Sequence, residues 1–519
     1  MRIGELIAFI LYFTVVLGMG VYFFIRGRNE QGEKSFFLGG RKMGGVVAAL
    51  SAGASDMSAW VLMGLPGSIY LYGMGQVWIS VGLLIGTILA WFLVAPRLRR
   101  YSMLADDSIT IPQYLTNRFK SSSSVLQVVC AVIFVIVYCV YGASSISACG
   151  SLLNTLFGLD PRAGMGIATA IIIAYVFLGG FNAVCWTDFF QGLLMLAALL
   201  LTPIVAVGIL PVAAETVPEN YYNFLSSGKF DWKSVSDILT GLGWGLGYFG
   251  MPHIIVRYIS IKSEGEMKKS RRVGIAWTTL ILLMASVVGI VGRKYLGDSM
   301  IDSKTLVFVE MARSVFPVFI GGVIISAIIA ASMSTADSQL LAASSAFASD
   351  VYKTTIKKDA SDKNVMWVGR GVVVAISVLA FGIALLGSGN PPIVPAFSTI
   401  MSLVSAAWAA FGAAFGPVIL LSLFWRRLNY KGAVTGIVTG FAVDILWMIL
   451  FNFEYYGMTS VVYNTNLYEI LPGFVAGTVA AVAASLLTGE PSKEVSDLFD
   501  RYRALDSLEE EDLATKAKD

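Results

Sequence analysis

The chain has 519 residues, 56% of them hydrophobic and 14% charged, with mean hydropathy +0.74. That balance excludes an ordinary soluble enzyme, and a net charge of +3 is too small to suggest a nucleic-acid partner. Apolar runs of about 20 residues recur along the whole length, each enough to cross a bilayer core as a helix. The expected class is an all-α polytopic membrane protein embedded in lipid.

Thirteen spans are predicted, at roughly 4–26, 45–72, 75–96, 124–155, 162–180, 187–210, 236–258, 273–295, 316–350, 364–388, 392–424, 432–451 and 468–488. The first runs straight into Arg26 without a small-residue cleavage pattern, so no cleavable signal is expected. The second contains ALSAGASDMSAW (49–60), where Ser51, Ser55, Asp56 and Ser58 sit among small residues. A carboxylate at membrane depth is costly and marks a functional-site candidate, although a polar helix end near the interface reads similarly. Cys130, Cys139, Cys149 and Cys185 lie in or beside spans with no CxxC pair, and His253 is alone, which argues for buried thiols and against zinc or haem.

Charge orients the stack. Of the 37 Lys and Arg residues, 29 fall in the loops 26–42, 97–120, 257–272, 353–370 and 426–431 and in the tail. The positive-inside rule then makes the N-terminus external and the C-terminus cytoplasmic. The external loop 211–235, with Glu215, Glu219, Tyr221 and Tyr222, is an ordinary connector or carries a small helix. The tail from Lys493 reads as a short solvated helix or a flexible end. No GxxxxGK[ST] loop is present, so ATP is not the expected energy source. Nor do the spans hold a nucleophile–base pair or a metal cluster, so an enzyme is not expected.

Three further stretches depart from plain hydrophobicity. GLGWGLGYFGMPH (241–253) has five glycines and Pro252, which break a helix; if helical, it would place Trp244, Tyr248 and Pro252 on one face. Such breaks survive at membrane depth only where protein or a water-filled cavity satisfies the freed backbone. IIAASMSTADSQLL (328–341) aligns Ala331, Ser334, Thr335 and Ser338, with Asp337 at the margin. These hydroxyls either bond the carbonyl one turn back or form an all-oxygen surface suited to a hard cation such as Na⁺. GGFNAVCWTDFFQ (179–191) places Asp188 either as a helix cap or on an ion path.

The second and seventh spans, both broken, lie five spans apart and so run oppositely, as in inverted-repeat transporters that bind cargo near the midplane. The resulting division is a first helix and loop (1–44), a first repeat (45–210), the external loop (211–235), a second repeat (236–424), two added helices (425–488) and the tail (489–519).

LGGRKMG (38–44), ALSAGASDMSAWVLMGLPG (49–67), GGFNAVCWTD (179–188), GWGLGYFGMPHI (243–254), MST (333–335) and FGAAFGP (411–417) resemble the sodium/solute symporter family, most closely its bacterial sodium/proline members. The resemblance implies about thirteen helices with a LeuT-type 5+5 inverted repeat, importing L-proline with Na⁺ across a bacterial-type cytoplasmic membrane. It places Na⁺ on the carbonyls of Ala54, Met57 and Ala331 and the hydroxyls of Ser334 and Thr335. Proline would meet Ser58, Tyr141, Trp244, Tyr248 and Pro252, with Asp56 and Arg41 supporting coupling. Two departures stand out: Ala59 where the proline branch has glycine, and Asp337 where it often has a small hydroxyl residue. Asp337 suggests a second Na⁺ site with Asp188, Ser334 and Ser338. The alternatives are the same machine carrying another small solute, or a passive channel or membrane sensor.

Overall fold

The computed structural model describes residues 2–26, 33–213 and 217–516; Arg28 of the predicted basic loop and Glu215 of the external loop lie outside them. We label the principal helices α1 (Ile3–Arg26), α2 (Gly45–Asp56), α3 (Trp60–Tyr72), α4 (Met74–Leu104), α5 (Ile111–Arg118), α6 (Val125–Phe157), α7 (Pro161–Ala174) and α8 (Gly180–Ile209). The second half continues as α9 (Trp232–Gly243), α10 (Pro252–Ser260), α11 (Glu264–Leu296), α12 (Val318–Ile356), α13 (Asp362–Gly387) and α14 (Ile400–Phe424). The chain closes with α15 (Tyr430–Phe451), α16 (Ile470–Leu487) and α17 (Lys493–Lys516). The described residues form no strand beyond a single bridge between Met43 and Ile261.

Among the described residues, ten helices are long and apolar enough to span a membrane, and α2 with α3, bent by 61°, makes an eleventh if the pair is one span. The other two predicted spans are present in shortened form. At 162–180 stands α7, parted from α8 where Gly180 turns to φ 67°. At 236–258, α9 gives way to a 3₁₀ stretch, Trp244–Phe249, before α10 begins at Pro252. Proline at the first turn of a helix loses nothing, because that N–H has no intrahelical partner anyway.

The two broken spans are tied at one end. The Met43 amide donates to the Ser260 carbonyl at 3.1 Å, and the Lys262 amide donates to the Met43 carbonyl at 3.0 Å. The start of α2 therefore meets the end of α10, so the spans run in opposite directions, as their separation predicted. Burial places α12 and α14 at the centre, 78% and 83% buried over their apolar windows against 22% for α1, and α2 is buried throughout except at Val46 and Gly53. The polar residues of α12 thus face protein, not lipid.

Of the two readings of the 211–235 loop, the connector is the one found: residues 217–231 form turns, and α9 starts only after Asp231, whose carboxylate accepts from the Ser234 amide at 3.0 Å. One expectation needs correction. The tail is neither free nor simply solvated: Val495, Leu498, Phe499 and Tyr502 of α17 are buried. An apolar residue at every third or fourth position gives that highly charged helix one face to dock. All four cysteines are free and buried, as expected.

Candidate binding site at the broken helices

Helix α2 ends in a stretch of small residues, with Gly53 one turn before the break. Met57 leaves helical geometry at φ −81°, ψ 73°, and the Ser58 amide donates to the Asp56 carbonyl at 2.9 Å rather than one turn back. In a regular helix that amide would have satisfied Ala54. The freed Ala54 carbonyl instead accepts from Ser334 Oγ of α12 at 2.8 Å, and Ser334 Oγ also lies 3.1 Å from the Ala331 carbonyl. Thr335 Oγ1 is buried with no protein partner. Four of the five predicted ion ligands thus share one buried seam between α2 and α12, and the fifth, Met57, is where α2 ends. The C-terminal dipole of α2 adds negative potential there.

Asp56 bridges the broken spans. It is 2% exposed; Oδ2 accepts from the Tyr248 hydroxyl, and Oδ1 has no partner. An unsatisfied buried carboxylate oxygen is expensive and marks a place where a cation or donor is accommodated.

The predicted shared face of Trp244, Tyr248 and Pro252 does not form, because a 3₁₀ stretch and a break separate them. Trp244 instead stacks among aromatic rings from three other segments. Its centroid lies 5.9 Å from Trp60, 6.3 Å from Trp408 and 5.2 Å from Tyr468, all within about 30° of parallel. Trp408 Nε1 donates to the Trp244 carbonyl at 2.7 Å, and Tyr248 meets the Trp408 ring edge-on at 5.2 Å. Gly247 permits this approach, since a side chain there would overlap the Trp408 indole. Ser58 Oγ accepts from the Trp60 amide at 3.4 Å. Tyr141 is buried, its hydroxyl unpartnered and its ring 6.1 Å from His253. Pro252 lines a small cavity of about 20 Å³ with Phe134, Arg257 and Ser338, which ties it to a second polar cluster.

That cluster holds Asp188, Asp337 and Ser338, as predicted, but also Arg257 and Ser51. Asp188 Oδ2 takes Ser51 Oγ at 2.7 Å, Arg257 Nη2 at 3.4 Å and Ser338 Oγ at 3.4 Å. Arg257 also bonds Ser338 Oγ, Ser51 Oγ at 3.2 Å and the His253 carbonyl at 2.7 Å. Ser338 Oγ is 3.2 Å from Asp337 Oδ1, while Asp188 Oδ1 and Asp337 Oδ2 have no partner. Asp188 lies well inside α8, so it is not a cap. Sequence reasoning counted Arg257 with the loop charges, yet it is 1% exposed within α10. The signal was its place in HIIVRYISI, ahead of the polar run that begins at Lys262.

Arg41 reaches three segments. Nε donates to Asp107 at 2.8 Å, Nη1 to Ser102 Oγ at 3.1 Å and the Ile259 carbonyl at 2.9 Å, and Nη2 to the Ser108 carbonyl at 2.7 Å. Arg99 adds bonds to the Ile261 carbonyl at 2.6 Å and Glu264 at 2.7 Å. Together they latch the ends of α4 and α10. Ala59 is buried at the break, with ordinary right-handed dihedrals.

Antiparallel interrupted spans meeting at buried, partly unsatisfied oxygens define a carrier of the inverted-repeat class. The family model described as the sodium:solute symporter family matches residues 36–440. The chain belongs to that family. It is 41% identical to the high-affinity proline transporter PutP of Bacillus subtilis (strain 168), over 90% of this chain and 95% of that protein. It is 38% identical to the sodium/proline symporter of Escherichia coli (strain K12), over 95% of both. In fold it is similar to a substrate-bound, outward-open Na⁺-coupled sialic acid symporter, with TM-score 0.75 at 19% identity, covering 94% of this chain and 99% of that one.

Proposed function

We infer that this protein is a sodium-coupled symporter importing L-proline, a secondary transporter rather than an enzyme. Family membership supports sodium coupling, and sodium/proline relatives matching nearly the whole chain support the cargo. The single structural observation that carries the reading is the Ala54–Ser334 seam with the unpartnered Thr335 hydroxyl, an oxygen set a monovalent hard cation fits. The carbonyls of Ala54, Met57 and Ala331 with Ser334 and Thr335 would hold Na⁺.

In this reading Trp244 and Tyr248 supply aromatic walls for the pyrrolidine ring, with Tyr141 and Pro252 beside them. The N-terminal end of α3, beside Ser58, would offer its positive dipole to the carboxylate, and the aromatic faces would meet the ammonium. Asp56, bonded to Tyr248, communicates between ion and solute, because each would favour the same docking of α2 against the 3₁₀ segment. The repeats are assigned to 45–210 and 236–424, in a bacterial-type cytoplasmic membrane with the tail inside. The test is proline uptake into proteoliposomes under separately imposed Na⁺, K⁺ and pH gradients. Accumulation with Na⁺ alone supports the reading, and equal accumulation under a pH gradient without Na⁺ defeats it.

One observation favours a second Na⁺ at Asp188, Asp337 and Ser338. Two buried carboxylates face one guanidinium, and each keeps an unpartnered oxygen. One more monovalent cation would balance the charge. A Hill coefficient near one, unchanged by Asp337→Asn, would remove this second site.

A further inference from the structure

Away from the transport path, Arg118 ends α5 with its side chain fully buried. Nε reaches the Ser422 carbonyl at 3.5 Å, but neither terminal nitrogen has a protein partner. The guanidinium lies 5.2 Å from the Tyr101 ring, 5.3 Å from Phe119 and 5.2 Å from Phe499 of the docked tail. Tyr101 stacks on Tyr502 at 4.3 Å, nearly parallel at 7°, and both hydroxyls are buried and unpartnered. Two arginine nitrogens and two phenols, all able to donate, therefore gather where α17 covers α4 and α5.

Nearby carboxylates do not neutralise Arg118. Asp506 accepts from Arg97 at 3.1 Å, Arg100 at 2.8 Å and Arg503 at 3.4 Å. Asp500 forms a two-pronged pair with Arg426 at 2.8 Å. The Tyr114 hydroxyl is engaged by Ser422 Oγ at 3.0 Å. Stacking rings repay only part of the cost of burying a lone guanidinium, which itself offers no acceptor.

We propose that Arg118, Tyr101 and Tyr502 form a binding site for a small monovalent anion, with chloride as the natural probe, closed by the α17 helix. The polarity follows from the donors, since a guanidinium can be satisfied only by acceptors. The charge follows from Arg118 itself: its one buried positive charge, with no carboxylate partner, matches one negative charge, whereas a phosphate dianion would exceed it. Because Phe499 and Tyr502 form part of the enclosure, anion binding and tail docking stabilise one another. The tail meets α4 in the region where Arg99 grips the end of α10, so the site also braces that latch.

The test is thermal unfolding of the purified full-length protein in sodium chloride and in sodium gluconate, at equal Na⁺ and ionic strength. A ligand that binds only the folded form raises Tm with its concentration. The expected result is a higher Tm in chloride for the wild type and no difference for Arg118→Gln. Equal Tm in both salts for the wild type overturns the proposal, as does a chloride gain undiminished in Arg118→Gln. Should Arg118→Gln fail to fold, Tyr101→Phe combined with Tyr502→Phe keeps the stacked rings and removes both hydroxyls. That variant should raise the chloride midpoint about tenfold, and an unchanged midpoint would overturn the site.

Discussion

Ser334 Oγ donates to the carbonyl of Ala54 at 2.8 Å, joining helices 280 positions apart at the point where α2 stops being helical. A hydroxyl that simply bonded its own helix would leave the broken end of α2 unsatisfied. This cross-helix bond would make the geometry of the proposed ion site depend on how α2 sits against α12, which is what coupling by alternating access requires.

Replacing Thr335 by Val should therefore weaken sodium without unfolding the protein. The swap keeps the branched outline of the side chain and removes an oxygen that has no protein partner, so no protein hydrogen bond is broken. Loss of one ligand is expected to raise the Na⁺ concentration for half-maximal uptake at least about tenfold. Proline uptake measured against Na⁺ reads this directly, and an unchanged curve would rule out Thr335 as a ligand.

Asp56→Ala should abolish coupled uptake, because it removes the acceptor of the Tyr248 hydroxyl and the charge beside the seam together. Asp56→Asn keeps an acceptor for Tyr248 and loses the charge. Proline binding that survives in the Asn variant but no longer responds to Na⁺ would separate the two roles.

Trp244→Ala should act chiefly on proline. The ring is buried among Trp60, Trp408 and Tyr468, and its removal would leave a cavity worth about 3–5 kcal/mol if all of it fell on stability. Trp244→Phe is the cleaner probe, with a proline Kd expected to rise about tenfold while the Na⁺ dependence keeps its shape.

Arg257→Gln should destabilise the protein by about 3–5 kcal/mol, since it strands Asp188 and Asp337 in a dry pocket. Adding Asp188→Asn should recover part of that loss, and a double-mutant cycle on Tm would show it. If the single variant melts like the wild type, the pocket already holds another cation.

Arg41→Ala should loosen the latch, because four hydrogen bonds to Asp107, Ser102, Ile259 and Ser108 vanish together. A cysteine introduced at Val47, which lines a cavity of about 820 Å³ at the same end, should then react faster with a thiol reagent. An unchanged labelling rate would show that Arg99 alone suffices.

Hydropathy, glycine placement and charge asymmetry determined the class: a lipid-embedded helical chain, broken in its second and seventh spans, with hydroxyls and carboxylates where lipid would tolerate neither. These features are local, and each is read from a few adjacent residues because the bilayer penalises every unsatisfied polar group. The stretches holding Asp56, Ser334 and Trp244 stood out in the same way, whereas the roles proposed for these residues came from the family resemblance. What touches them was not legible. That Tyr248 bonds Asp56, that Trp60, Trp408 and Tyr468 enclose Trp244, and that Arg257 leaves the loop charges to join Asp188 depend on contacts between distant segments. A basic residue at a helix end looks the same whether it faces cytosol or core, as Arg118 shows. Only the packing of α10 and α17 decided which arginines are solvated and which are buried charges in need of a partner.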